Sequence, residues 1–488
     1  MSLRRPRLAL LTGSLVCFLA VGCLPGDPTP DCPPPDAEPT HLRIEGTRVL
    51  DDHDRAVTLR GVNFGGRSKF APYTPIEFDL DSPDSMAAYL DPLHSSLDTL
   101  VAWGVVTLRV PWSWAALEPI EGTYDQAWLA RLDALVDAAG ARGFGVILDL
   151  HQDIYAEPFC GDGFPVWTLP GDSGPPRHDC PNWFLAYFSD DDVRAAFDRL
   201  WANEGGVRDA LDGAWAFMVD RYADHPAVIG YEPLNEPGWG TMDRNEFTRD
   251  VLPAWYEDLV PRLASRDPDA LFFLDTNGVD GAEVMTAMER PDLPAFVFAP
   301  HFYHPSLVFG DDAPPIQDEA IDSLAYWAEL GAEWEVPILL GEFGIPNGRA
   351  GELPWIRSHY DAFDTLRMHS THWEVSRAAE VWNGEDLSLM TQDGQPEPVV
   401  AEVARPWLRA VAGTVTDQTI DMDAGTATLA WQDPSASGVT EVIVPSYLWG
   451  AGSLAITGGC LASRDGSRVH VRATSPDVTV QVSRENAR

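Results

Sequence analysis

The sequence predicts an α/β protein in which a (β/α)8 barrel is followed by a small C-terminal β-sandwich. From about residue 41, eight short apolar runs alternate with longer segments of helical periodicity. After about residue 412 the pattern changes to short alternating runs separated by Gly, Asp, Pro and Ser, which is typical of a β-sandwich. The chain of 488 residues, 45% of them hydrophobic, suffices for one large and one small core. We therefore predict a targeting segment at 1–23, a proline-rich linker at 24–40, a catalytic barrel at 41–412 and a sandwich at 413–488.

The first residues have the pattern of an export signal. Three arginines within the first seven residues precede an apolar stretch, 8–21, that is too short to span a bilayer. The small residues before Cys23 resemble the end of a bacterial lipoprotein signal, which implies that Cys23 becomes the lipidated first residue of the mature protein. Secretion without lipidation is the alternative. We expect an outer-membrane or cell-surface lipoprotein, otherwise a secreted protein, whose linker lifts the domains off the membrane surface.

The net charge limits the classes of molecule that this protein can bind. The formal net charge of -42 excludes nucleic acid, because binding its backbone needs clustered Lys and Arg. The acidic residues are dispersed, which indicates a solvated surface, and we expect a monomer.

Cys160 and Cys180 flank one predicted loop, where they form either a disulfide in an oxidising compartment or two buried thiols. Cys32 and Cys460 stay unassigned, and no CxxC pair indicates zinc.

The eight apolar runs are the candidate barrel strands. Between them, segments such as 126–142 place apolar residues at helical spacing with charged residues on the other face. A barrel of this kind has its active site where the strands end and the following loops begin. The predicted strands are 58–64, 105–110, 145–150, 228–234, 271–275, 296–300, 337–341 and 368–373.

Polar or aromatic side chains stand at seven of the eight predicted strand ends, although the strand bodies are apolar. For any one of them a structural role is a sufficient explanation: a charge-pair anchor, a satisfied core histidine or a packed tryptophan. Seven on one rim of a barrel are harder to explain as packing, so we expect a functional site there. In strand order these residues are Asn63, Arg109, His151 with Asp153, Asn235 with Glu236, His301 with Tyr303, Glu342, and Trp373 with Glu374.

Two glutamates in this set suggest a specific chemistry. Glu236 in LNEPGW and Glu342 in LLGEFG each close an apolar run. Two facing carboxyl groups can cleave a glycosidic bond, because one protonates the departing oxygen while the other attacks the anomeric carbon. The alternative is that each is an ordinary hydrogen-bonded or solvated residue at a strand end.

Several motifs carry a family resemblance. LRGVNF, TLRVPW, LNEPGW, HFYH and GEFG resemble the motif series of glycoside hydrolase family 5, whose members are retaining (β/α)8 enzymes. Longer strings resemble the endoglycoceramidases of that family: RGVNFGGRSKFAP, DLHQDIYAEPFCGDGFPVW, GYEPLNEPGWG and RPWLRAVAGT. The resemblance covers about residues 41 to 485, and in such proteins a β-sandwich packs against the barrel. Whether that module binds carbohydrate or is purely structural is left open.

The resemblance implies roles for the strand-end residues. Glu236 corresponds to the general acid and base, and Glu342 to the nucleophile. Asn235 is suited to hydrogen-bond the sugar 2-hydroxyl, and Trp373 offers the sugar ring a flat apolar face. The remaining implied contacts are Tyr303 and Arg109, which hold Glu342 ionised, and His151 and His301, which line the sugar subsite or orient the acid.

Lys69 is the single lysine among 33 basic residues and stands in GGRSKFAP, just beyond the first predicted strand. The resemblance implies that it contacts the glycan together with Asp153 of the HQD motif. An ammonium group on a flexible stem can donate to several sugar hydroxyls. The alternative is an exposed lysine without function.

The aglycone side has weaker indications. The segment PNWFLAYF, after the third strand, places five large apolar residues almost consecutively. It would suit a ceramide or sterol tail or a bilayer surface, or it is the buried face of a lid helix. Trp355 and Ile356, after the seventh strand, form a second candidate rim.

The expected function is that of a retaining endo-β-glycosidase that cleaves between the oligosaccharide and the ceramide of glycosphingolipids. One alternative is a β-glucosidase for steryl glucosides or monoglycosylceramides. More distant ones are a β-glucanase or mannanase of the same family, and a glycan-binding lipoprotein without turnover. We expect no metal or organic cofactor, because the two carboxyl groups supply acid, base and nucleophile.

Overall fold

The computed structural model describes residues 32–33, 41–80, 85–171, 174–175, 177, 180, 182–309, 318–378, 382, 385–434 and 438–484. The predicted signal segment, including Cys23, lies outside the described residues, as does most of the predicted linker. Among the helices that the described part of the chain forms, we find no membrane-spanning candidate by length and hydropathy.

The strands, in chain order, are β1 (Leu42–Glu45), β2 (Arg48–Asp51), β3 (Ala56–Val57), β4 (Arg60–Phe64), β5 (Thr107–Trp112), β6 (Gly145–Leu150), β7 (Val228–Glu232), β8 (Leu271–Leu274), β9 (Val297–Phe298), β10 (Leu339–Leu340), β11 (His369–Val375), β12 (Trp407–Val411), β13 (Thr414–Asp421), β14 (Thr426–Gln432), β15 (Val439–Ile443), β16 (Ser453–Thr457), β17 (Gly459–Asp465), β18 (Arg468–Ala473) and β19 (Asp477–Ser483).

The helices are α1 (Ser85–Trp103), α2 (Trp114–Leu117), α3 (Gln126–Gly140), α4 (Ala186–Ser189), α5 (Asp191–Trp201), α6 (Val207–Tyr222), α7 (Arg244–Glu246), α8 (Leu252–Ala264), α9 (Gly278–Glu283), α10 (Pro305–Phe309), α11 (Asp318–Trp334), α12 (Glu352–Leu366), α13 (Val400–Val403) and α14 (Ser446–Trp449). A π-helical segment, Phe247–Val251, joins α7 to α8.

The predicted (β/α)8 barrel is confirmed. Its strands run in the order β10, β11, β4, β5, β6, β7, β8 and β9, and the pairs are parallel. A bridge between Phe298 and Ile338 connects the two ends of this order and so closes the barrel. The strands read as continuous apolar runs because the barrel interior covers one face and the helices cover the other.

The helices follow the predicted periodicity. In α3, Asp125 caps the first turn by accepting from the main-chain N–H groups of Ala127 and Trp128. The buried face carries Leu129, Leu132 and Val136 at the expected spacing. The helix ends two residues before the predicted boundary.

The C-terminal strands form two antiparallel sheets, as the sandwich prediction requires. Strands β13, β14, β19 and β16 form one sheet, and β1, β2, β3, β12, β15, β18 and β17 form the other. Apolar side chains of both sheets share one core, including Leu429, Trp431, Val442 and Val469.

The first three strands join this second sheet and not the barrel, because Ala410 of β12 pairs with Val57 of β3. Main-chain pairing therefore connects 42–57 with 407–473, and the domain division at 412 stays a prediction. Strands β1, β2, β3 and β12 were not predicted from the sequence, because runs of two to five residues are too short to show the alternation of a β-strand.

The described part of the chain contains two disulfides. Cys160 pairs with Cys180, as one of the two alternatives predicted, and Cys32 pairs with Cys460, which sequence spacing left unassigned. The second bridge joins residues 428 positions apart, and the N–H of Cys32 also donates to the carbonyl of Leu461 in β17. It ties the start of the described chain to the C-terminal sheet.

We expect Cys32→Ser to lower the melting temperature. The cross-link closes a very long loop, and losing a native disulfide typically costs about 2–5 kcal/mol because the unfolded chain regains entropy. Scanning calorimetry of the variant and of the wild type, each with and without reductant, provides the measurement. Identical melting of the variant and the oxidised wild type would contradict a stabilising role for the bridge.

Candidate active site

Side chains from four barrel strands or from the residues just after them meet at the guanidinium group of Arg109, a fully buried residue of β5. All five of its N–H groups have an acceptor. Nε and Nη2 donate to the two oxygens of Glu232 at 2.9 and 2.7 Å. Nη1 donates to Oδ1 of Asn63 and to Oε1 of Glu342, and Nη2 also donates to Oδ1 of Asn235. A rigid planar fork therefore fixes the spacing of four side chains from three other strands or strand ends.

Glu342, directly after β10, accepts two hydrogen bonds. The Arg109 guanidinium donates to Oε1 at 2.9 Å, and the Tyr303 hydroxyl donates to Oε2 at 3.1 Å. Both donors favour the ionised carboxylate. Burial, and then the charge of Glu342, raise the pKa of Tyr303 well above its ordinary value, so the phenol keeps its proton. The expected contacts of Arg109 and Tyr303 with Glu342 are thus present.

Glu236 follows β7 in a backbone conformation that non-glycine residues rarely adopt, with a φ of 39°. Its side chain is 15% exposed. The Nδ1 atom of His301 lies 2.8 Å from Oε1. Burial, followed by the negative charge of Asp153, raises the pKa of Glu236 to about 7. Glu236 is therefore mostly protonated below about pH 7, where it can donate a proton.

The two glutamates face each other. One carboxylate oxygen of each, together with a ring nitrogen of His301, lies within 4.8 Å of the others. Carboxyl groups about 5 Å apart are typical of retaining glycosidases, whereas inverting enzymes separate theirs by roughly 6.5–9.5 Å to admit a water molecule. This spacing leaves space for direct attack by Glu342.

His301 and Asn235 support the pair. Burial lowers the pKa of His301 to about 4, so its imidazole is neutral at neutral pH. Asn235 accepts from Arg109 and uses one amide N–H to donate to the carbonyl of Gln152 at 3.1 Å. Among the residues that the structure describes, we find no acceptor for the second amide N–H, which can therefore donate to a ligand such as a sugar hydroxyl.

His151 lies on the other side of the rim. Its Nδ1 atom is 2.8 Å from Asp149, and its ring stacks on Trp373 with centroids 5.0 Å apart. Burial alone would lower the pKa of His151, but the charge of Asp149 outweighs it and raises the pKa to about 10. The stacked pair presents an imidazolium and an indole side by side.

Lys69 is buried, which excludes the alternative of a chance exposed lysine. Its ammonium group is bonded to Asp153 and lies 3.6 Å from Glu385. The rings of Trp382 and Trp373 lie 4.1 and 4.7 Å from Nζ. Burial opposes the charge, but Asp153 outweighs it and keeps the pKa of Lys69 above its ordinary value. The expected pairing of Lys69 with Asp153 is present.

Several residues of this site were missed by sequence reasoning. Trp382 and Glu385 lie in the loop after β11, beyond any strand end, so the strand-end rule could not find them. Asp149 lies inside β6 and Glu232 is the last residue of β7, but the predicted strands 145–150 and 228–234 counted both as strand interior. Asp275 directly follows β8, where the boundary predicted at 275 counted it as part of the strand.

Glu374, the last strand-end residue, faces a different partner. Its carboxyl accepts from the N–H of Gly66 at 2.7 Å and from the Ser376 hydroxyl at 2.6 Å. Burial raises its pKa to about 7. It borders a cavity of about 250 Å³ that is also lined by Trp373, Trp382 and Glu385. This cavity adjoins the Lys69 cluster, by which we mean Lys69, Asp153, Trp183, Trp382 and Glu385.

The aromatic segment after the third barrel strand combines both interpretations. Trp183 donates to Glu385 at 2.9 Å, and the buried Tyr187 hydroxyl contacts Gln152. Leu185 and Phe188 are 43% and 52% exposed. One face therefore covers the site and the other faces solvent.

The second candidate rim was wrong, because Trp355 and Ile356 are fully buried. Both belong to α12, and their helical face packs into the barrel core. The spacing did not reveal which face of this helix turns inward.

Three groups of side chains in the described part of the chain bring carboxylate and imidazole atoms within 4.8 Å of one another, a spacing that could hold a metal ion. The groups are His151 with Asp153 and Asp162, Glu232 with Asp275 and His301, and Glu236 with His301 and Glu342. In the first group, Lys69 already supplies a cation to Asp153. In the third group, Arg109 supplies a cation to Glu342.

Residues 73–378 match the model of the cellulase family, glycosyl hydrolase family 5. The chain belongs to glycosyl hydrolase family 5. It is 29% identical to endoglycoceramidase I of Rhodococcus hoagii over 476 residues, which cover 91% of this chain and 88% of the relative. It is 33% identical to a glucosylceramidase of Aspergillus fumigatus over 259 residues, which cover 43% of this chain and 34% of that one.

A solved structure, endo-glycoceramidase II from Rhodococcus sp. in complex with ganglioside GM3, has a TM-score of 0.75 and 26% identity and covers 90% of this chain and 100% of that one. A lactosyl-enzyme intermediate of the same enzyme has a TM-score of 0.72 and 25% identity, with 92% and 100% covered. The resemblance to endoglycoceramidases is confirmed, and this family member is a glycoside hydrolase.

We expect Glu342→Gln to abolish turnover, with a loss of about 10⁴-fold or more in kcat, because an amide cannot form the glycosyl ester. Release of the aglycone from an aryl β-lactoside measures it. Glu333→Gln, at an exposed position of α11, is the matched control and should leave kcat unchanged. Comparable activity of the two variants would reject the enzymatic role.

The pH dependence of kcat/KM tests the role of Glu236. Its pKa of about 7 is raised, so the proton needed for the first step is present below that pH and is lost above it. Activity should therefore fall on the alkaline side with a limb near pH 7. Because Asp153 contributes to the raised pKa, Asp153→Asn should move this limb to lower pH. A limb that stays in place in this variant would assign it to another group.

A substitution at Gly278 tests how closely the carboxyl group of Glu236 is packed. A Cβ at this position would lie 2.4 Å from Oε2 of Glu236, and His301 restrains the carboxyl from the other side. We expect Gly278→Ala to reduce kcat about tenfold or more without changing any charge, because a displaced acid is misaligned with the leaving oxygen. Gly213→Ala, in α6 with open space around the new Cβ, is the control.

Proposed function

We propose that this chain is a retaining endo-β-glycosidase that hydrolyses the linkage between oligosaccharide and ceramide in glycosphingolipids. The observation that carries the proposal is the Lys69 cluster beside the catalytic pair. It offers an ammonium group, carboxylates and indole rings beyond the position of the first sugar, which a glycan of two or more sugars would use. The ganglioside bound to endo-glycoceramidase II supports this substrate class.

In the first step, an oxygen of Glu342 attacks the anomeric carbon while the bond to the ceramide oxygen breaks. Glu236 transfers its proton to that oxygen, and ceramide leaves as an alcohol. The hydrogen bonds from Arg109 and Tyr303 hold Glu342 in line for the attack.

In the second step, Glu236 is a carboxylate and takes a proton from a water molecule, whose oxygen attacks the anomeric carbon. The bond to Glu342 breaks, the oligosaccharide leaves, and the guanidinium and phenol stabilise the carboxylate that returns. Two inversions at the same carbon retain the β configuration. The lactosyl-enzyme intermediate of endo-glycoceramidase II supports this course.

The sugars are proposed to lie over Trp373 and Lys69. The stacked ring of Trp373 provides an apolar face, and Lys69 and Asp153 provide a donor and an acceptor for hydroxyl groups. Trp382, Glu385 and the adjoining cavity extend this surface for a longer glycan. Asn235 donates to the 2-hydroxyl of the sugar that reacts.

A second candidate function is that of a β-glucosidase acting on monoglycosylceramides or steryl glucosides. The match to a glucosylceramidase of Aspergillus fumigatus favours it. Such an enzyme needs the catalytic pair and Trp373 but gains little from the Lys69 cluster.

The export of the chain is part of the proposal. A signal peptide at 1–23 fits the two disulfides, which persist in oxidising compartments. Lipidation at Cys23 would hold the enzyme at the membrane surface that carries its substrate. Globomycin sensitivity of processing, or the mass of the mature N-terminus, distinguishes a lipoprotein from a secreted protein.

The deciding experiment incubates the protein with lactosylceramide, ganglioside GM3, glucosylceramide, a steryl glucoside and a soluble β-glucan, and identifies the products by mass spectrometry. We expect intact oligosaccharide plus ceramide. Free glucose from glucosylceramide or steryl glucoside as the main product would favour the second candidate. Cleavage of the β-glucan alone would reject both glycolipid functions.

A Lys69→Met variant sharpens this comparison, because it keeps the length of the side chain and removes the charge. We expect kcat/KM for lactosylceramide to fall about 10–100-fold, since a buried donor to the glycan is lost and Asp153 loses the hydrogen bond from the ammonium group. The value for glucosylceramide should change less, because it lacks the second sugar. Equal losses on both substrates would place Lys69 outside the glycan subsite.

A further inference from the structure

The fifth barrel strand, β8, supplied no polar residue to the sequence-based set of strand ends. The structure places Asp275 directly after this strand, buried and beside Glu236. Its Oδ2 atom accepts from the main-chain N–H of Glu236 at 2.9 Å. The same atom lies 3.4 Å from Nε2 of His301. Asp275 is therefore the one residue in the described chain for which contacts with both the backbone of Glu236 and the histidine on its side chain are found.

These contacts close a ring. Oδ2 of Asp275 meets Nε2 of His301, and Nδ1 of His301 meets Oε1 of Glu236 at 2.8 Å. The main chain of Glu236 returns to Oδ2 of Asp275. Because Glu236 has a φ of 39°, the hydrogen bond from its N–H helps to hold an unfavourable conformation.

We propose that Asp275 is the positioning residue of the acid/base: its Oδ2 atom holds the main chain of Glu236 and, as a neutral carboxyl group, donates to Nε2 of His301. The Nδ1–H of His301 then donates to Oε1 of Glu236, which leaves Oε2 to carry the catalytic proton. This inference rests on the proposed role of Glu236. Asp275 itself touches no substrate.

The surroundings of Asp275 favour its neutral form. Burial, and then the charges of Glu232 and Glu236, raise the pKa of Asp275 well above its ordinary value. Arg109 opposes this shift, but its five N–H groups are bonded elsewhere. The N–H of Thr276 donates to Oδ1, and the Tyr256 hydroxyl donates to the main-chain carbonyl. A buried carboxylic acid of this kind can serve as a hydrogen-bond donor at neutral pH.

In this geometry, Nε2 of His301 has no hydrogen-bond partner among the described residues, and Oδ2 of Asp275 is 3.4 Å away. Hydrogen bonds of catalytic groups are often long without substrate and shorten in the complex. A neutral imidazole with its proton on Nδ1 needs a donor at Nε2, and Asp275 is positioned to be that donor. His301 stays neutral because burial lowers its pKa to about 4.

The same arrangement serves both steps. Glu236 alternates between a carboxylic acid and a carboxylate through Oε2, while Oε1 keeps the hydrogen bond from Nδ1. No proton moves on His301 or Asp275. A hydrogen bond to Oε1 favours the ionised form of Glu236 and so limits how far burial raises its pKa. Other groups that face Glu236 are Asp153, His151, Lys69, Arg109, Glu342, Tyr303 and Tyr187.

The first test compares leaving groups in Asp275→Ala. We expect kcat/KM for the glycolipid to fall about 10²-fold, because its alkoxide must be protonated by a well-placed acid. For dinitrophenyl β-lactoside, whose leaving group needs no proton, the loss should be about threefold or less. Equal losses on both substrates would overturn the proposal, because they indicate a general structural defect.

The second test is the pH profile of kcat/KM. In Asp275→Ala, His301 loses its donor and with it the fixed Nδ1–H, so the alkaline limb of Glu236 should move to higher pH. Asp275→Asn can still donate from its amide N–H to Nε2 and carries no charge, so its limb should stay in place. An amide nitrogen at the position of Oδ2 no longer accepts from the N–H of Glu236, so this variant separates the contact with His301 from the contact with the main chain. A limb that moves to lower pH in either variant would mean that Asp275 acts as an anion, which contradicts the proposal.

Controls separate the possible failures. Asp280→Asn removes another buried carboxylate, which lies in α9 and accepts a hydrogen bond from the Thr276 hydroxyl. This variant should change neither the dependence on the leaving group nor the position of the alkaline limb. Labelling with a 2-deoxy-2-fluoro lactoside counts folded sites by mass, so rates are given per intact site. Glu236→Gln must itself show the dependence on leaving group. If it does not, the proposed function fails, and if only Asp275→Ala does not, this inference fails alone.

Discussion

The arrangement of the candidate active site depends on one buried guanidinium group, whose five N–H groups all have hydrogen-bond acceptors. Arg109 has no exposed surface, and an unpaired charge there would be very costly, so each of its five N–H groups must find an acceptor. The acceptors come from Asn63, Glu232, Asn235 and Glu342, and thus from three further strands or strand ends. Because the fork is planar and rigid, it sets the distance between these strands as well as their charge balance. Glu342, the proposed nucleophile, is held by a hydrogen bond from this network.

The two glutamates differ because their environments differ. Glu342 receives a guanidinium and a phenol, which both favour the carboxylate. Glu236 receives a neutral imidazole and main-chain support from Asp275, and burial raises its pKa to about 7. Two identical side chains therefore lie in different environments, with a guanidinium and a phenol at Glu342 and a neutral imidazole at Glu236. This difference is what a double displacement requires of its carboxyl pair.

Much of the barrel could be predicted because its strands are buried on both faces and therefore appear as apolar runs. The residues that close the runs, such as Glu236 and Glu342, could be predicted for the same reason, since they interrupt the apolar pattern at a known edge. Glu232 and Asp149 could not, because the predicted strands extended past them and placed them away from the strand ends. Trp382 and Glu385 could not either, because a long loop has no period to place them.

The sequence by itself determined the order of the barrel strands, the set of polar groups at their carboxyl ends and the family to which the chain belongs. These features depend on local patterns of burial and on motifs a few residues long. The tertiary structure decided that Cys32 meets Cys460, that Trp355 faces the core, and that Asp275 of the fifth strand meets Glu236 of the fourth. Such contacts join residues far apart in the chain or on different strands, and only the closed barrel and the packed sheets fix their distances.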